Sequence, residues 1–122
     1  MNAIDPDYGA IPESMQSSII LWVCRGIPMG SFGTSLMSND LMSSYTTADS
    51  TNVNLMREYV SLMYNVLPRD CYGSMTAISK WSKARMERPL LVDGVSWPKS
   101  WSYTVGEMKK CLESSPNEQI NG

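Results

Sequence analysis

The chain has 122 residues, three cysteines, no histidine and a net charge of −2. That length suits one domain with a core of its own and is short for two. The weak negative charge excludes a general electrostatic pull toward nucleic acid, and the lack of His excludes Ser-His-Asp and Cys-His nucleophile pairs.

Apolar residues are 43% of the chain and charged residues only 18%, below the roughly 25% of an average domain. Ser, Thr and Asn take the place of the missing charges, so much of the polar surface is expected to be uncharged. The longest apolar run, residues 19–24, is far short of the ~20 residues that span a bilayer. Residues 1–8 carry acids and no basic n-region, unlike a secretory signal. A soluble protein of the cytoplasm is expected, with Cys24, Cys71 and Cys111 reduced. No CxxC pair exists, so no metal site and no cofactor is expected.

In chain order, residues 1–11 read as an irregular leader, 12–113 as a single helical domain and 114–122 as a polar tail. The first helix starts near Pro12, Glu13 and Ser14. Met15, Ile19, Trp22 and Val23 share one face, and Gly26 followed by Pro28 ends it. Ser31 reads as the N-cap of a second helix running to about Ala48. Its stripe is Met37, Leu41, Tyr45 and Ala48, interrupted by Asn39 and Asp40.

Asp49 is the next N-cap. The third helix carries Val53, Met56, Val60, Met63 and Leu67 on one stripe, widened by Leu55, Tyr59, Leu62 and Val66, and Pro68 stops it. So broad an apolar surface predicts the central helix, packed by the first, second and fourth. Ser74 caps the fourth, which carries Met75, Ile78 and Trp81 at i, i+3 and i+6, and Pro89 ends it. Lys80, Lys83, Arg85 and Arg88 read as its solvated basic face rather than a nucleic-acid footprint.

Residues 90–95 read as a short extended hairpin around Asp93-Gly94. Thr104 and Glu107 fit a capping box for a last helix over roughly 105–113. The fold class is therefore mainly α: a small bundle of four to five helices with an irregular, aromatic-rich C-terminal segment.

Few residues suggest chemistry. Gly26, Gly30 and Gly33 follow no strand and make no nucleotide fingerprint. Asp40, beside Asn39 in the middle of a predicted amphipathic helix, is expected to be at least partly buried. Buried, it must be paired or hydrogen-bonded; by type, Arg25, Arg57 and Arg69 are the candidate partners. A solvated position or a ligand role is the alternative. Tyr64-Asn65 can face Cys71, Tyr72 and Gly73 as a cap for that loop. Trp97, Trp101 and Tyr103 either lid the core or form an exposed anchor. Residues 90–92 are expected to wrap the bundle and at least one Trp to stand exposed. The ten methionines allow pliable packing or an adaptable groove.

The stretch Arg25-Gly26-Ile27-Pro28-Met29-Gly30-Ser31-Phe32 is followed by Leu36, Asn39-Asp40-Leu41, Ala48-Asp49, Asn52, Leu55 and Tyr59. Tyr64-Asn65, Pro68, Cys71-Tyr72-Gly73-Ser74 and Trp81 complete the set. The spacing resembles a group of small phage and prophage proteins with a pattern like GxPxGSF, NDL, ADxxN, YNxxP and WGS, to which no activity is attached. The resemblance covers about 26–81. Tyr72 stands where the pattern has Trp, and Gly33 where an aliphatic residue is usual. It implies a phage or mobile-element origin and a host-directed accessory role.

The first expectation for function is accordingly a non-enzymatic accessory protein that binds a host or phage protein. A second is a binder of a nucleotide-like small molecule, using Gly30, Ser31 and Phe32 with Asn39 and Asn65. A third is a minor virion component. No membrane partner is expected, and oligomeric state is left open.

Overall fold

The computed structural model describes residues 6–113. It is mainly helical, with seven α-helices and no β-strand among the described residues. None of those helices is long and apolar enough to cross a membrane. The polar tail over 114–122 and residues 1–5 of the leader lie outside the described residues.

Helix α1 spans Glu13–Arg25 and ends on Gly26 at φ 70°, a left-handed position natural to glycine. Ile19, Ile20, Trp22, Val23 and Cys24 are all buried. So is Gln16, whose amide donates to the Ile11 carbonyl at 2.7 Å. Burial around so much of its circumference makes α1 the central helix, in place of the predicted third helix. It packs against α6 (Met75–Glu87) and α7 (Ser102–Glu113).

The predicted second helix is two helices, α2 (Ser31–Met37) and α3 (Leu41–Thr47), packed against each other. Gly30, not Ser31, is the N-cap of α2. The break between them lies at Asn39, the only described non-glycine residue at positive φ (66°), a conformation that Asn tolerates better than most residues. Asp40 then caps α3, its carboxylate accepting the Ser43 backbone N–H at 3.0 Å. The expected burial of Asp40 is thereby overturned: it is exposed, because a cap at a helix break faces water.

The predicted third helix also divides. Asp49 caps the single turn α4 (Ser50–Val53), accepting the Asn52 N–H at 2.7 Å. After Asn54 and Leu55 the chain re-enters α5 (Met56–Asn65). Met56, Tyr59, Leu62 and Met63 face the core, whereas Val60 is exposed. Phe32 of α2 meets Tyr59 edge-on, with ring centroids 5.3 Å apart. The two divided helices account for seven helices against four to five.

Helix α6 starts as predicted, with Ser74 capping the Ala77 N–H at 3.0 Å. Trp81 is buried and donates its indole N–H to the Trp22 carbonyl at 3.1 Å. Beyond it, Asp93-Gly94 makes a 3-10 turn (Val92–Gly94) instead of a hairpin. Other elements occupy the flanking backbone groups. Leu90 N–H bonds to the Cys24 carbonyl, Val92 N–H to the Glu113 carboxylate, and the Val92 carbonyl to the Trp97 indole. Helix α7 begins at Ser102, directly after a 3-10 turn at Lys99–Trp101. Thr104 is buried inside the helix, so it is not a cap.

Residues 8–11 close the core. Ile11 is buried, the Tyr8 hydroxyl bonds to Ser61 at 2.8 Å, and the Tyr8 carbonyl accepts the Trp101 indole N–H at 2.8 Å.

All three cysteines are free thiols; Cys24 and Cys71 are buried and Cys111 is exposed. Burial pushes the Cys24 thiol up to about 11 and the Cys71 thiol up to about 12, and a protonated thiol is a poor nucleophile. Iodoacetamide at pH 8 is therefore expected to alkylate Cys111 alone in the folded protein. Cys24 and Cys71 should react only after denaturant is added, as read by mass spectrometry. Rapid labelling of either buried thiol would contradict this packing.

Candidate functional site

Trp97 and Trp101 stack with ring centroids 5.9 Å apart and planes within 16°. Trp101 is fully buried, and Trp97 is partly buried with its N–H bonded to Val92 at 2.8 Å. The expected exposed Trp anchor is absent, because both indoles have found partners inside the fold. Only Tyr103 of that trio stands out, 70% exposed. The wrapping expected of residues 90–92 is partial: Val92 is buried and Leu91 is exposed.

The other predicted site residues do not converge. Phe32 is buried against Tyr59, Gly30 and Ser31 are exposed at the start of α2, and Asn65 donates to Ser61 at 3.1 Å. Asn39 and Asp40 do share a site, a groove of about 200 Å³ between α3, α5 and the loop at Tyr72-Gly73.

This groove follows from the helix break. Asn39 turns the chain so that Leu41 opens α3 on the groove's rim. The loop is held opposite by Gly73 at φ 126°, whose N–H bonds to the Met37 carbonyl at 2.7 Å. Helix α5 supplies Met56, Val60, Met63 and Tyr64. Leu41 is 65% exposed, Val60 54% and Tyr64 80%. Met42 and Tyr45 extend the apolar exposure along α3.

Asp40 is the one carboxylate in the lining, and no cation lines it. The Ser43 N–H holds the Asp40 carboxyl below the ordinary carboxylate range. A group whose folded value is depressed stabilises the fold above its unfolded value, and that contribution fades as pH falls through the folded value. Asp40→Ala is therefore expected to melt at a lower temperature than the parent at pH 7. The gap should close as pH is lowered past the ordinary carboxylate range, as followed by circular dichroism. A pH-independent gap would remove the cap as its cause.

A second, wider cleft of about 740 Å³ lies between residues 69–74 and α6. It is lined by Arg69, Asp70, Lys80, Trp81 and Arg85 among others. A third cavity of about 200 Å³ is apolar, with Met29, Met37 and Met75 in its wall. Sequence reasoning placed Val60 in the core stripe and Lys80 and Arg85 on a solvated face. For Val60 the available signal was the third helix's apolar surface, too wide for one buried face. Among the described residues no group of acidic or Cys side chains could hold a metal ion. No protein-family model, curated protein or solved structure matches the chain.

Proposed function

We propose that the chain is a non-catalytic accessory protein of phage type, acting in the host cytoplasm, that binds a host or phage protein through the α3–α5 groove. One observation carries this reading: Leu41, Val60 and Tyr64 are exposed around a single apolar depression. Monomeric proteins rarely leave such apolar surface gathered in one place without a use. The resemblance over 26–81 supports the phage-type part of the reading.

The occupant is an apolar segment of the partner with a Lys or Arg beside it. The apolar residues fill the depression, and the cation meets Asp40, the only formal charge in the lining. Charge placement of this kind fixes register and orientation more than it adds affinity.

The test is site-specific crosslinking in infected cells with p-benzoylphenylalanine placed at position 64. One partner is expected, and its purified form should bind the chain. Val60→Asp should abolish that binding, because it puts a charge into the apolar contact. Asp40→Asn should weaken it severalfold. Crosslinks only to a second copy of the chain, or a partner that binds Val60→Asp unchanged, would overturn the reading.

A further inference from the structure

The cleft between residues 69–74 and α6 shares Tyr72 with that groove and is otherwise lined by different residues. The chain as a whole is acidic, yet this cleft gathers Arg69, Lys80 and Arg85 against one carboxylate, Asp70. Three cations and one anion leave it doubly positive. The ion pairs found among the described residues join Lys109 to Asp93 and Lys110 to Glu107, and none neutralises these three. Cations left unpaired in one concave site raise the local potential for an anion.

Two members of the cleft are held in place by their contacts. Trp81 is buried and fixed through its indole bond to the Trp22 carbonyl. The Arg85 guanidinium lies over the Trp81 ring, 4.4 Å from its centroid. Its Nε is buried with no hydrogen-bond partner among the described residues. A buried unpartnered donor is costly, and a stacked guanidinium is a preset planar fork suited to phosphoryl oxygens.

Ala77 and Ala84 lie on the same helix face as Lys80 and Trp81 and leave the cleft open. The opening turn of α6 supplies Ser74 and Thr76, and its positive dipole end adds to the cationic field.

We propose that this cleft binds the phosphoryl group of a small phosphomonoester. Such a group carries about −1.5 to −2 charge at pH 7, matching the doubly positive site. The volume of about 740 Å³ lies in the ordinary range for small-molecule pockets. Arg85 and Arg69 take the phosphoryl oxygens with Lys80 as a third donor, and the rest of the ligand lies toward Tyr72.

The test is isothermal titration calorimetry of the full chain at fixed ionic strength. The probes are adenosine 5′-monophosphate, phenyl phosphate and adenosine. Both phosphomonoesters should bind at one site per chain, and adenosine should not bind. Arg69→Ala and Lys80→Ala should each weaken binding about fivefold or more, as expected for losing a charge-assisted hydrogen bond. Both side chains are exposed, so the melting temperature of the free protein should stay unchanged. Arg85→Lys keeps the charge but loses the fork, and should also weaken binding. Equal binding of adenosine, or phosphomonoester binding unaffected by Arg69→Ala and Lys80→Ala, would overturn the proposal. So would tighter binding of a phosphoserine peptide or a single-stranded oligonucleotide than of either phosphomonoester. Failure here leaves the groove intact, because Val60 and Asp40 do not line this cleft.

Discussion

Trp101→Ala is expected to destabilise the fold by ~3–5 kcal/mol, the usual cost of truncating a buried Trp or Phe to Ala. The side chain is 0% exposed. Its loss removes the stack on Trp97 and leaves the Tyr8 carbonyl without its donor. That bond joins residues 8–11 to the segment before α7. Tyr8 in turn bonds to Ser61 on α5, so three remote parts of the chain loosen together. Single domains are stable by only about 5–15 kcal/mol, so the variant loses a large share of its stability. Urea denaturation should show a large fall in midpoint with the slope retained. Tyr103→Ala is the control: its ring is mostly in water, and the midpoint should barely move. A small effect at Trp101 would restore these aromatics as a surface anchor.

The contacts of Trp101 show why the direction of the C-terminal aromatics is not legible in the sequence. The aromatics are plain in the sequence, but their direction depends on Tyr8, 93 residues away. No periodicity carries that distance. Signals that act within one turn were legible. Gly26 ends α1, Asp49 caps α4 and Ser74 caps α6, each through chemistry contained in a few residues.

The groove was half legible. Asn39 and Asp40 stood out as polar residues inside an apolar pattern, and they do line it. The stripe Met37, Leu41, Tyr45 runs across them and by itself implies one continuous helix. A left-handed Asn followed by an Asp cap divides the helix there instead. On α5, apolar residues occupy two faces, and composition does not say which one the core takes. Tyr59 and Leu62 went inward and left Val60 in water. The cationic cleft was invisible because Arg69 and Arg85 are brought together by the loop preceding α6, not by helix spacing.

Gly26→Ala is expected to be the most damaging change at a glycine. At φ 70° an L-residue pays the left-handed strain of about 1–2 kcal/mol. A Cβ there would also sit 2.6 Å from the Ser82 carbonyl oxygen and 2.9 Å from Ser82 Cα. These are backbone atoms of α6 and cannot step aside as a flexible side chain can. Helix α6 must move off α1, stretching the 2.7 Å bond from the Ser82 hydroxyl to the Gly26 carbonyl. Overpacking of this kind typically adds 1–3 kcal/mol, so a total of ~2–5 kcal/mol is expected. Gly106→Ala should shift stability the other way. It lies within α7 with nothing inside 4 Å of its added Cβ, and Ala is better than Gly in a helix by roughly 0.5–1 kcal/mol. Paired urea titrations check both signs at once. Because Arg85 also stands 2.9 Å from the Gly26 Cβ position, the same displacement reaches the cationic cleft. Gly26→Ala should therefore weaken adenosine 5′-monophosphate binding under conditions where the variant remains folded, while Gly106→Ala leaves it unchanged.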